Sequence, residues 1–381
     1  MFMTGFECET HLRFATLELV RGEWRTYNYA LNLKGDAPAQ GKMDISVVNI
    51  EENAGQVPVN YVLPPGVTRI IDPGQSQITQ LNEQAMSLKV TDLQSGDARA
   101  VYKNSGMDMR TYKRLQMFVH AEKLIDDKTN LRDGDVSVFL RLGSDSKSNY
   151  YEYEVPLSLT EPGNYSTYNA QDQEAVWPQS NMFDFPLSLF TDLKLERNAK
   201  KRMDNSTVTF QTRYSSYDPD KNQNKVTIVG NPSLSDVRTM MIGVRNNSNA
   251  AKDIVVWVNE MRLTDFDQSG GWAAKANVNL GLSDIATLNI AGHVETVGFG
   301  GIDQSLTERR LDDYYQYNIA TMVELGRFLP EKVKLKAPLF YSITEQRTSP
   351  KYNPLDQDIL LKDALDNAGS KAERDSISDA S

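Results

Sequence analysis

The chain has 381 residues, long enough for two or three domains and a sizeable core. Its formal net charge of −10 excludes a basic nucleic-acid-binding face, and 40 % apolar with 9 % aromatic content excludes a disordered chain. A single cysteine, Cys8, excludes an intrachain disulfide framework or a cysteine zinc site, and the longest apolar run, Ile254–Val258, is far too short for a membrane helix.

Alternation of apolar and polar side chains dominates, and it predicts mostly strands. Residues 11–33 predict two strands around Arg21-Gly22, and 43–63 continue as strand until Pro64-Pro65-Gly66 turns the chain. A short helix followed by a strand is expected over 75–90. These make a β-rich N-terminal segment, 1–105.

Further strands are expected at 113–120, at Val136–Leu140, at Tyr150–Val155, at Val208–Arg213, at Lys225–Val229, at Met240–Val244 and at Ile254–Leu263, with a helix over Phe183–Ala199. Short strands separated by turn signals predict an antiparallel β-sandwich, jelly-roll-like, over 106–267.

Beyond Gly270-Gly271, four longer alternating segments are predicted in 268–345: 273–282, 286–296, 315–327 and 333–343. One face carries Ala276, Val278, Leu280, Leu288, Ile290, Val294, Ile319, Val323, Leu325, Leu335 and Leu339. The other carries Lys275, Asn277, Asn279, Asn289, Glu295, Gln316, Asn318, Glu324, Lys334 and Lys336, with Met322 as an apolar exception. Two readings fit. The plain one is a half-buried sheet on the chain's own core. The other is a piece of transmembrane β-barrel, with the first set facing lipid and the second a wet lumen.

Three features favour the barrel. Ten residues at about 3.3 Å, tilted, approach the thickness of an outer-membrane apolar band. The connections 283–285 and 328–332 read as short turns, and 297–314 as a long polar loop. Trp272, Tyr315, Tyr317 and Tyr341 are expected at the long-loop end and Phe328 at the short-turn end, as in aromatic girdles. Four strands cannot close a barrel, so the chain is expected to be a fragment whose first and last residues are not true termini. The first of the four strands runs away from the sandwich toward a short turn, which puts the sandwich on the extracellular side. The end of the chain, 346–381, is expected to be a polar loop and helix, with Ile359, Leu360, Ala364 and Leu365 on one face.

The segments Val48-Asn49-Ile50-Glu51-Glu52-Asn53, Pro58–Val67, Asn82-Glu83-Gln84, Phe118–Glu122 and Trp257–Leu263 resemble the SprA (Sov) family. So do Gly270–Lys275, Gly298–Gly301, Glu308-Arg309-Arg310, Glu324-Leu325-Gly326 and Pro350–Asp356. The resemblance runs over nearly the whole chain. It implies a very large single-chain outer-membrane barrel, the translocon of type IX secretion, required for gliding motility. It also implies cargo proteins with a C-terminal sorting domain and partner proteins that plug or gate the pore.

Catalytic motifs are not found: there is no Gly-x-Ser-x-Gly elbow and no Walker loop. No enzyme activity, cofactor or metal is expected. His120-Ala121-Glu122 lacks a third metal ligand nearby, and Asp218–Asn224 begins like a calcium loop but has Gln223 at the glycine position. His11 and His293 stand alone. The rival to the translocon reading is a soluble or surface carbohydrate-binding sandwich, in which Tyr150, Tyr151, Tyr153, Tyr165, Tyr168 and Trp177 line a sugar groove. A surface glycosidase is the third reading.

Overall fold

The first sheet is built on the strand Val136–Gly143, which is buried at all eight positions because both of its faces are covered. The computed structural model describes residues 23–29, 31, 41–69, 71, 80–305 and 308–381. In chain order the strands are β1 (Arg25–Tyr27), β2 (Lys42–Asn49), β3 (Gln84–Leu93), β4 (Ala98–Met107), β5 (Tyr112–Glu122), β6 (Val136–Gly143) and β7 (Tyr150–Pro156). Helix α1 (Ala170–Val176), β8 (Phe183–Pro186), helix α2 (Ser188–Lys201), β9 (Tyr214–Tyr217), β10 (Lys225–Val229), β11 (Val237–Asn246) and β12 (Lys252–Phe266) complete the sandwich.

Two antiparallel sheets, β1-β4-β11-β6-β7-β10-β9 and β2-β3-β12-β5-β8, face each other. Their facing residues, among them Leu88, Val119, Val138, Leu140, Ile242 and Val256, form the main core. Gly243 on β11 has a packing reason: a Cβ there would run into the ring of Phe139. The outer face of the second sheet has its own core, where Trp177 and Tyr61 pack on Trp257 and Phe118. The Trp177 indole N–H donates to the Val62 carbonyl at 2.9 Å.

On the outer face of the first sheet, Glu152 lies at zero exposure among Arg141, Arg213 and Arg245. Burial pushes its carboxyl up, but the three guanidinium groups outweigh burial and hold it well below the usual carboxylate range.

The expected boundary at 105/106 is not observed. Strands β2 to β4 belong to the same two sheets as β5 to β12, so the described part of the N-terminal segment belongs to the sandwich. The pattern over 57–63 is a packing loop with one bridge, Val59 to Gly163, rather than a strand. The helix expected over 183–199 splits into β8 and α2, because Phe183 and Phe185 pair with Met117 and Leu115 of β5. The strand expected at 208–213 forms instead at β9. Leu12, Phe14, Leu17, Leu19, Cys8 and His11, and most of the helix expected from 75, lie outside the described residues.

After β12 come four strands of one separate antiparallel sheet: β13 (Ala273–Leu282), β14 (Ala286–Glu295), β15 (Asp312–Glu324) and β16 (Pro338–Pro350). The chain then returns to the sandwich through β17 (Tyr352–Asn353), β18 (Asp356–Leu360), α3 (Leu361–Asp366) and α4 (Lys371–Ala380). The polar loop and solvated helix expected over 346–381 are two helices, α3 and α4, that pack on the sandwich, with Leu360 exposed rather than on the buried face. Buried Lys194 of α2 binds Asp356 at 2.5 Å and Asp358 at 2.8 Å, and Ile359, Leu361, Ala364 and Ile377 make a small core of their own. No described helix is long and apolar enough to cross a membrane, which says nothing of strands.

Candidate functional site

The register of the four-stranded sheet sorts its side chains. Val278 pairs with Ile290, Ile290 with Ile319, and Ile319 with Ile343; the next rows are Leu280, Leu288, Thr321 and Tyr341, then Leu282, Ala286, Val323 and Leu339. Pleating puts these, with Ala276 and Val294, on one face. The other face carries Lys275, Asn277, Asn279, Asn289, Glu295, Gln316, Asn318 and Glu324, along with Thr344 and Gln346 of β16.

Among the described residues neither face packs on a core. Every residue of β13 is exposed, and Val278, Leu280, Leu282, Tyr341 and Leu339 are each about half exposed or close to it. No described residue covers the apolar face, which counts against the plain reading of a half-buried sheet. An apolar face this extensive marks an interaction surface. Strands β13 and β16 each have one neighbour among the described strands, so both edges carry unpaired N–H and C=O groups.

Polar atoms on the apolar face find partners. Thr321 donates its hydroxyl to the Thr287 carbonyl at 3.0 Å. The Tyr317 hydroxyl donates to Glu345, which with Arg347 ends the apolar band of β16. On the polar face Asn318 donates to Thr344 at 2.6 Å, and Glu295 pairs with His293 at 3.1 Å and with Arg310 at 2.6 Å.

Three expectations change. The fourth strand starts at Pro338, so Lys334, Leu335 and Lys336 lie in the connection 325–337, and Leu325 begins a 3-10 turn, Leu325–Phe328. Alternation stops there because Gly326 lets the Leu335 carbonyl come close, Glu331–Val333 forms a second 3-10 turn, and Lys334 takes a positive φ of 46°. That connection is not a short turn; only 283–285 is. Tyr341 stands at the short-turn end beside Thr321, six residues along β15 from Tyr315, or roughly 20 Å. Trp272, Tyr315 and Tyr317 thus lie toward one end, Tyr341 lies within the apolar band one row before Leu339, and Phe328 lies in the connection beyond it. Met322 is joined on the polar face by Phe340, its exposed cross-strand neighbour. The signal that would have placed Thr344 and Gln346 is weak, because beyond Ile343 both faces of β16 are polar, and Phe340 breaks the alternation as an apolar residue on the polar face.

Of the sugar-groove residues, Tyr150, Tyr151, Tyr153 and Trp177 are buried, Tyr165 is half-buried and Tyr168 is fully exposed. Tyr151 and Tyr153 are core residues whose hydroxyls donate to Asp358 and Asp218, both at 2.6 Å, and burial raises the pKa of both hydroxyls. Asp218 faces inward, so the calcium-like segment closes a hairpin between β9 and β10. His120 is buried, stacked at 3.9 Å on Trp257 and bonded to the Val176 carbonyl at 2.7 Å. Among the described residues no three His, Cys, Asp or Glu side chains cluster as a metal site.

The family described as motility related/secretion protein, the SprA N-terminal family, matches residues 1–365. The chain belongs to this family. Membership carries a role in motility and secretion, and it covers the sandwich and the exposed sheet together. No curated protein matches the chain. Among solved structures, it is similar to the family 11 carbohydrate-binding module of the cellulosomal cellulase Lic26A-Cel5E of Clostridium thermocellum. Identity is 9 %, with 62 % of this chain and 94 % of that chain covered at a TM-score of 0.24. The family 11 module from Clostridium thermocellum in complex with a β-1,3-1,4-mixed-linked tetrasaccharide gives 8 %, 60 %, 93 % and 0.24.

Proposed function

We propose that the sheet β13–β16 is part of the wall of an outer-membrane barrel that conducts proteins to the cell surface. One observation carries the reading: a ten-residue-deep sheet leaves an ordered apolar face uncovered while both sheets of the adjoining sandwich bury theirs. Acyl chains would cover Val278, Leu280, Leu288, Ile290 and Ile319. Water in the lumen would solvate Lys275, Asn277, Asn279, Asn289, Gln316 and Asn318. Further strands would satisfy the edges of β13 and β16, since an open edge in hydrocarbon costs several kcal/mol per group.

The polar face mixes both charge signs, which suits passage of varied polypeptides rather than ion selection. Its partners on this reading are outer-membrane lipid, exported cargo with a C-terminal sorting domain, and proteins that gate or plug the pore. The sandwich joins the sheet at the start of β13 and the end of β16, opposite the tight turn 283–285, which favours an extracellular sandwich.

Cysteine labelling tests the assignment. In a Cys8→Ser background, Asn277→Cys and Asn289→Cys should react with a membrane-impermeant maleimide in the assembled protein. Val278→Cys and Ile290→Cys should react only after detergent extraction. Equal reactivity on the two faces would sink the proposal.

A further inference from the structure

The connection 325–337 is built unlike an aqueous turn. It spends thirteen residues where 283–285 needs three, and it exposes Phe328 (67 %), Leu329 (42 %), Val333 (53 %) and Leu335 (53 %). It also extends the apolar face by one row, since Leu325 N–H donates to the Ala337 carbonyl at 2.9 Å. Polar turn residues would be ordinary there; these are greasy and interleaved with cations.

The charges are arranged for a purpose. Behind the connection lies a cavity of about 640 Å³ lined by Lys334, Lys336, Arg327, Asp284 and Glu324. Both carboxylates are engaged: Asp284 holds Arg327 at 3.0 Å, and Glu324 accepts the Ala337 N–H at 2.5 Å. Lys334 and Lys336, like neighbouring Lys332, have no ion pair with a described residue and are exposed. The cavity wall therefore offers two ammonium groups without an ion pair among the described residues, and Leu329 and Leu335 line it beside them, while Phe328 and Val333 stand exposed elsewhere on the connection.

We infer that 325–337 is a lipid-binding element. It lies in the headgroup layer at the short-turn end of the sheet and seats the phosphate of an anionic glycerophospholipid between Lys334 and Lys336. The inference rests on the barrel reading above and adds the lipid chemistry met at that end. Phe328, Leu329 and Leu335 reach the acyl boundary, and the lysine stems run upward to the phosphates. Anionic headgroups are the partner because Arg327, Lys334 and Lys336 outweigh Asp284 and Glu324 around the cavity, and the surplus positive charge falls within the first layer of lipid phosphate.

Depth-dependent quenching tests it in the Cys8→Ser protein reconstituted in vesicles, with bimane on Leu335→Cys or, independently, Phe328→Cys, and a separate Ile290→Cys protein as reference. In phosphatidylglycerol vesicles a headgroup-level nitroxide should quench the Leu335 and Phe328 probes several-fold more than iodide does, while an acyl-chain nitroxide quenches Ile290. Changing Lys332, Lys334 and Lys336 to Gln should abolish the advantage of phosphatidylglycerol over phosphatidylcholine. Iodide quenching of both connection probes, with Ile290 still quenched from the acyl chains, overturns the inference and leaves the barrel reading standing. Iodide quenching at Ile290 overturns both. If inorganic phosphate protects the probes in phosphatidylcholine as well as phosphatidylglycerol does, the seat takes a free anion and the lipid assignment falls.

Discussion

Lys351 donates to Asp267 at 2.8 Å at the point where the chain leaves the sandwich for β13 and returns from β16. The pair joins the two strands of a neck, and Asp267 also accepts from Ser269 at 3.2 Å through its backbone N–H. The hydrogen bond from Lys351, seconded by Ser269, holds the Asp267 carboxyl below its usual range. Both side chains are partly exposed, so screening limits the energy. A double-mutant cycle with Asp267→Asn and Lys351→Met should give a coupling of about 0.5–1 kcal/mol, read as the protection of 268–272 from hydrogen exchange. The coupling should shrink in high salt and as pH falls through the carboxylate range. A coupling unchanged in 1 M salt would mean that packing, not charge, ties the neck.

Lys194 should matter far more. It has zero exposure and holds Asp356, Asp358 and the Pro232 carbonyl. Lys194→Met leaves buried Asp358 and partly exposed Asp356 without their cation, a loss of about 3–5 kcal/mol. The denaturant midpoint of the sandwich should fall accordingly. The double variant Lys194→Met/Asp358→Asn should recover part of the loss, since it removes one of the stranded charges.

What the chain made legible follows from contrast between neighbours. Strands β13 and β14 are read to within one residue because apolar and polar residues alternate without a break and Ser283-Asp284 marks the turn. In β16 the contrast fails: Glu345 and Arg347 share a face with Ile343, so the polar half of the strand carries no visible sidedness. The misleading alternation lies in Val333–Ala337, where the pattern is strand-like but no partner strand stands opposite. The ion cluster around Glu152 was invisible because Arg141, Arg213 and Arg245 come from three separate places in the chain and only β-pairing brings them together. The return of 352–380 to the sandwich was hidden for the same reason: it depends on a lysine more than 160 residues earlier.

Glu152 gives a pH signature. Its folded carboxyl titrates below the ordinary glutamate value of about 4.3, so the folded state binds fewer protons than the unfolded one. The stabilisation is whole above that ordinary value and is lost as pH falls through it toward the folded value. Glu152→Gln should cost about 3–5 kcal/mol at pH 7, because Arg141 and Arg213 lose their buried anion and Arg245 keeps only Glu154. In denaturant titrations between pH 7 and pH 3, the gap between wild type and Glu152→Gln should narrow at the acid end. A gap that stays constant with pH would assign the loss to packing.

The decisive comparison is between two adjacent residues of β14. Ile290 sits in the central apolar row between Val278 and Ile319, and Asn289 sits between Asn279 and Ala320 on the opposite face. They share strand, depth and backbone environment and differ only in the side of the sheet they occupy. Arginine at a lipid-facing position near the bilayer midplane costs about 2–4 kcal/mol, whereas a wet lumen solvates the guanidinium at little cost. Ile290→Arg should therefore sharply reduce the fraction of protein that reaches the outer membrane in folded, protease-resistant form, and Asn289→Arg should leave it near wild type. If the water-facing side were instead the Ile290 side, the order would invert. Equal tolerance at both positions would mean that neither face meets hydrocarbon, and the exposed sheet would have to be covered by protein instead.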